Sequence, residues 1–125
     1  MLSARPRVLL ADDSPEVVKA VSRLLALDCD VVGTVADGRA LLEAAQRLQP
    51  DAIVLDLSLP NLHGLEACRQ ITQRFPETRI IVFTASSDPD VRRRSFEAGA
   101  AGFVSKLEDD GDVLSAITKL CVDRG

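Results

Sequence analysis

The stretch Arg7-Val8-Leu9-Leu10-Ala11-Asp12-Asp13-Ser14-Pro15-Glu16 decides the fold. Its first half is a short apolar run, too brief for a helix and closed by two acids. Its second half sets a capping serine before a first-turn proline and an acid, which is how helices begin. A strand that ends on carboxylates and passes straight into a helix opens a βα unit. Val17, Val21, Leu24 and Leu25 then recur at helical spacing and complete it.

The same pattern returns along the chain. Apolar runs lie at residues 7–11, 30–35, 51–55, 79–84 and 101–104. All but the second are nearly free of polar residues, as parallel strands covered on both faces should be. The run 30–35 is mixed, with Gly33 and Thr34, which suits an edge. Helical stripes fill the intervals: Leu41, Ala44, Ala45 and Leu48; Ala67, Ile71 and Phe75; the weaker Val91, Ser95 and Ala98; and Val113, Ala116, Ile117, Leu120 and Cys121. Asp88-Pro89-Asp90 marks the start of the fourth helix and Gly99 its stop. Right-handed crossovers turn such a series into an α/β fold, a doubly wound five-stranded parallel sheet whose expected order is 2-1-3-4-5.

A chain of 125 residues, 46% hydrophobic and 27% charged, fits one domain with its own core. Its net charge of −4 argues against direct nucleic-acid binding, which needs a surplus of Lys and Arg. Cys29, Cys68 and Cys121 are far apart and sit in apolar patterns, so they read as small buried hydrophobes. The run Val8–Ala11 is too short for a signal peptide or a membrane span, so a cytoplasmic location without membrane association is expected.

The polar residues fall at strand ends. Asp12 and Asp13 close the first strand, Asp56 the third and Thr84 the fourth, while Lys106 follows the fifth. In the expected order strands 1 and 3 are neighbours, and ligands bind at the carboxyl edge beside that switch point. Clustered carboxylates repel, and a hard divalent cation relieves them. Mg²⁺ takes oxygen ligands and keeps positions for phosphate. Lys106 adds a fixed cation and Thr84 a hydroxyl donor, a set suited to phosphoryl transfer. Each residue alone would be an ordinary cap, strand terminus or surface lysine; their joint placement is what points to a site.

With these residues in view, the chain resembles the response regulator receiver domains of two-component signalling, from residue 8 to about residue 122. The motifs that carry the resemblance are Leu10-Ala11-Asp12-Asp13-Ser14, Val54-Leu55-Asp56-Leu57-Ser58-Leu59-Pro60, Val82-Phe83-Thr84-Ala85 and Gly102-Phe103-Val104-Ser105-Lys106. Phe96-Glu97-Ala98-Gly99-Ala100-Ala101-Gly102-Phe103 is similar to the NarL/FixJ class, whose receivers usually precede a helix-turn-helix DNA-binding domain. The resemblance implies a flavodoxin-like (βα)5 receiver spanning 1–125, with any such output domain outside this chain. It implies that Asp56 accepts a phosphoryl group from a partner histidine kinase. Mg²⁺ would be held by Asp13, Asp56 and the Ser58 main-chain carbonyl, with Asp12 acting through a water. Thr84 and Lys106 would grip the phosphoryl oxygens, and Phe103 would be the switch aromatic that turns inward with Thr84. Regulation of transcription through an attached or separate output, DNA contact only through such an output, and homodimerisation through an unassigned face belong to the same expectation. The domain would assist its own phosphotransfer without being an enzyme on a separate substrate.

The chain departs from the family pattern at several points. Leu107 stands where many relatives have proline, Leu59 replaces a common methionine, and Phe103 lacks the hydroxyl of the frequent tyrosine. By the resemblance, Ser58 and Ser86 would flank the route of attacking water, and their small side chains leave the phosphoryl lifetime open. Other features read as structural: His63 as a surface loop residue, Arg92-Arg93-Arg94 as a solvated face beside the switch surface, and Glu108-Asp109-Asp110 as helix-dipole complements. Two other functions fit less well. A docking module that no longer takes phosphate is disfavoured by the complete set of acids, Thr84 and Lys106. A phosphatase would show Asp-x-Asp after the first strand, where here the acids are adjacent.

Overall fold

The computed structural model describes residues 5–107 and 111–123. Strands and helices alternate throughout: β1 (Arg7–Ala11), α1 (Pro15–Leu25), β2 (Asp30–Val35), α2 (Gly38–Leu48), β3 (Ala52–Leu55), α3 (Gly64–Arg74), β4 (Arg79–Thr84), α4 (Pro89–Glu97), β5 (Gly102–Ser105) and α5 (Gly111–Asp123). The strands form one parallel sheet in the order β2-β1-β3-β4-β5, as expected, with the mixed β2 on an edge.

Because side chains alternate across a strand, the sheet divides its apolar residues between two layers. Leu9, Ala11, Ile53, Leu55, Ile80 and Val82 face α2, α3 and α4, packing on Leu41, Ala44, Ala67, Cys68, Ile71 and Ala98. Val8, Leu10, Ala52, Val54, Ile81, Phe83 and Val104 face α1 and α5, packing on Val21, Leu25, Val113 and Ile117. Central strands buried on both sides explain the nearly continuous apolar runs in the sequence. Cys29 and Cys68 are buried as expected, while the Cys121 side chain and the acidic cluster 108–110 lie outside the described residues.

Two strand boundaries differ from expectation by one residue. The third strand begins at Ala52; the Asp51 side chain just before it accepts from the Arg7 amide at 2.9 Å. The fifth runs from Gly102 through Ser105, whose register partner is Thr84. Ser14 and Asp88 cap α1 and α4 as their sequence context predicts. Asp37 and His63, not anticipated as caps, do the same for α2 and α3. Gly99 ends α4 at a φ of +110°, a conformation glycine adopts without strain.

Candidate functional site

The backbone ladder runs one residue beyond the apolar strands, and this sets the site. The Asp12 amide donates to the Val35 carbonyl at 3.0 Å, Asp56 to Ala11 at 2.9 Å and Lys106 to Thr84 at 2.7 Å. Asp12, Asp56 and Lys106 are therefore fixed by the sheet while their side chains stand above the carboxyl edge. Strand alternation then sorts them. Asp12, Asp56 and Lys106 continue the α1/α5 side of their strands, and Thr84 continues the α2/α3/α4 side, where Phe103 also packs.

The sequence-derived carboxylates do converge: oxygens of Asp12, Asp13 and Asp56 lie within 4.8 Å of one another. Asp12 and Asp56 are buried and Asp13 is exposed. Both Asp12 oxygens are engaged, Oδ1 by the Ser14 amide at 2.9 Å and Oδ2 by the Lys106 ammonium at 2.6 Å. Lys106 also donates to Asp56 Oδ2 at 3.3 Å, and its Nζ rests 5.5 Å from the centre of the Phe83 ring. Partial burial works against the Lys106 charge. The hydrogen bond to Asp12 and the pull of Asp56 and Asp12 outweigh it, so its pKa lies above the ordinary lysine value.

Ser58 touches the central acid directly. Its amide donates to Asp56 Oδ1 at 3.2 Å, and its hydroxyl lies 3.1 Å from both Asp56 oxygens, sharing one proton between them. The resemblance implies a main-chain role and a flanking position for Ser58; this side-chain contact is additional. Thr84 is buried and lines a pocket of about 250 Å³ with Leu57, Ser58, His63, Leu65, Ser86, Val91 and Arg94. An all-oxygen donor set on one sheet edge, with a lysine balancing part of its charge, matches the chemistry of Mg²⁺.

Among the described residues that read as structural in the sequence, His63 and Arg93 behave so and Arg92 does not. His63 is exposed, and its Nδ1 accepts from the Leu65 amide at 3.1 Å. Arg93 pairs with Asp90 and Glu97. Arg92 differs, lying over the rings of Phe96 and Phe103. The Lys106–Leu107 peptide is trans, and the Leu107 amide donates to Ser105 Oγ at 3.2 Å, a bond proline could not make.

A doubly wound sheet with acids at the β1/β3 switch point and a lysine and threonine from β5 and β4 defines a receiver-type fold. The chain belongs to the response regulator receiver domain family, whose family model matches residues 8–118. It is 33% identical over 114 residues to the response regulator GacA of Pseudomonas viridiflava, covering 89% of this chain and 53% of that protein. It is likewise 33% identical over 112 residues to the nitrate/nitrite response regulator protein NarL of Escherichia coli, covering 88% and 52%. The chain thus spans about half the length of these relatives. Among solved structures, a LuxR-family two-component response regulator from an Aurantimonas species superposes with a TM-score of 0.90 at 33% identity, covering 96% of this chain and 87% of that one. Receiver domains generally bind Mg²⁺ at an acidic pocket and act in two-component signalling. Among the described residues no helix is long and apolar enough to cross a membrane.

Proposed function

We propose that this domain is a phosphorylation-dependent signalling switch, accepting a phosphoryl group on Asp56 from the phosphohistidine of a partner kinase. The observation that carries the reading is the carboxylate cluster with Lys106 bridging Asp12 and Asp56. Asp13, Asp56 and the Ser58 carbonyl would hold Mg²⁺, which supplies neutralisation of phosphoryl charge when bound.

The chain's own residues do the rest. An Asp56 oxygen attacks phosphorus, the phosphorus–nitrogen bond of the donor breaks, and the imidazole leaves with a proton. The Lys106 ammonium, already at hydrogen-bond distance from Asp56, passes to an oxygen of the incoming group. Asp12 holds Lys106 by its other hydrogen bond and keeps that ammonium oriented. The Thr84 hydroxyl donates to a second oxygen, and its displacement draws Phe103 inward. That links a local bond to the surface of α4, β5 and α5. The domain assists its own phosphotransfer and has no separate substrate. Its output, attached or separate, acts in transcription.

Incubation with Mg²⁺ and acetyl phosphate tests this by intact mass. A single hydroxylamine-labile phosphate adduct is expected on the wild type and absent from Asp56→Asn. An unmodified wild type under donor excess points to a docking module.

A further inference from the structure

The three arginines of α4 are not equivalent. Arg93 pairs with Asp90 and Glu97, and Arg94 lies 3.9 Å from Asp90. The guanidinium carbon of Arg92 instead sits 5.3 Å from the ring centre of Phe96 and 5.8 Å from that of Phe103. Phe96 is one helical turn further along α4 and 40% exposed. Phe103 comes from β5 and is partly buried against the α2/α3/α4 layer. One cation therefore ties the helix to the strand. The Arg92–Phe96 pair, spaced i to i+4, holds the guanidinium where Phe103 meets it.

Phe103 has no hydroxyl, so its ring face is its electrostatic handle. A cation is attracted to that face only while the ring stays beneath it. Turning Phe103 toward Thr84, its neighbour on the same sheet face, would break the contact. There is room beside Thr84, which shares the pocket of about 250 Å³ with Leu57, Leu65 and Val91. Val91 immediately precedes Arg92, so a rearrangement of Thr84 and the guanidinium clamp meet on one turn of α4.

We propose that Arg92 is a positioning residue for the switch: stacked over Phe103, it holds that ring in its half-exposed setting and biases the domain toward the unphosphorylated conformation. The inference rests on the receiver function above and adds to it the residue that sets the resting bias. Linkage makes the consequence measurable. A clamp present only in the resting conformation weakens every ligand that selects the other one, by the factor the clamp contributes.

The probe is beryllium fluoride with Mg²⁺, a non-hydrolysable mimic of a phosphoryl group on a carboxylate, with binding followed by calorimetry. Arg92→Met keeps the apolar stem and removes the charge; Arg92→Lys keeps a cation; Arg93→Met controls for the net charge of α4. Arg92→Met should bind about two- to five-fold more tightly than wild type, the change expected of one exposed cation–π contact. Arg92→Lys should fall between them and Arg93→Met should match wild type. With 4-fluorophenylalanine incorporated, the fluorine resonance of Phe103, assigned through Phe103→Leu, should move in ligand-free Arg92→Met toward its beryllofluoride-bound position. Equal affinity in wild type and Arg92→Met, or an equal gain in Arg93→Met, overturns the clamp while leaving the receiver function standing. Absence of binding to the wild type overturns both.

Discussion

Lys106 and Asp12 are 94 residues apart in sequence, yet the Lys106 ammonium donates to Asp12 Oδ2 at 2.6 Å. It occupies the second oxygen of a carboxylate whose first oxygen already accepts from the Ser14 amide, leaving the exposed Asp13 as the acid most open to a cation. The same ammonium reaches Asp56, so one lysine balances two buried carboxylates until a stronger charge arrives.

Removing that cation should cost the metal-free protein more than the metal-bound one. In Lys106→Met, the Asp12 side chain, 1% exposed, loses its cationic partner. A loss of about 3 kcal/mol is expected without Mg²⁺, the low end for a buried pair broken from one side because the Lys106 side chain is itself 18% exposed. Saturating Mg²⁺ should recover much of it, and Mg²⁺ should bind more tightly than to wild type. Thermal melts across a Mg²⁺ titration check both signs.

The opposite change is expected at Asp56. Asp56→Asn removes one of three clustered carboxylates and should stabilise the metal-free form by about 1 kcal/mol, a few degrees in Tm. The rise in Tm that Mg²⁺ gives the wild type should shrink. Calorimetry suits this measurement, since the chain has no Trp or Tyr.

Alkali should weaken the fold through two groups. Burial raises the Cys68 thiol from 9.0 to about 11, so the unfolded chain ionises first as pH rises. Stability is then full below pH 9.0 and falls progressively until the folded thiol titrates near 11. The raised pKa of Lys106 acts in the same sense, holding its contribution below the ordinary lysine value and losing it above. Urea unfolding at pH 8 and 10.5 should show the wild type losing about 2 kcal/mol more than Cys68→Ala. Equal losses would remove Cys68 from this account.

Gly99 is required by conformation and by space. A Cβ there would meet Thr72 Oγ1 at 2.4 Å, and its φ of +110° disfavours any side chain. Gly99→Ala should destabilise by roughly 2–3 kcal/mol, combining backbone strain with overpacking between α3 and α4. Thr72→Ala in the same chain should recover part of the overpacking share, since the Cβ of residue 72, 2.8 Å from the added methyl, stays in place; a double-mutant cycle in urea measures that part.

Much of this architecture could be read from residue order because the central strands are buried on both faces and advertise themselves as apolar runs. Asp12, Asp13, Asp56, Thr84 and Lys106 were legible for a related reason: each interrupts or follows such a run at the same end. Contacts made between elements were not legible. Nothing in Arg92-Arg93-Arg94 shows that Phe96 and Phe103 meet around one of the three. Asp37 carries no mark in the sequence and His63 reads there as a surface loop residue, yet both cap helices. The bond from the Arg7 main-chain amide to the Asp51 carboxylate is likewise invisible in residue order.

In the proposed switch, residue 56 and no other acid of the cluster carries the phosphoryl group. Borohydride reduction after treatment with Mg²⁺ and acetyl phosphate converts an aspartyl phosphate to homoserine, which peptide sequencing by mass spectrometry locates. Homoserine at position 56 alone, dependent on Mg²⁺, is the predicted result. Homoserine at position 12 or 13, or none in a folded wild type under donor excess, would contradict the account.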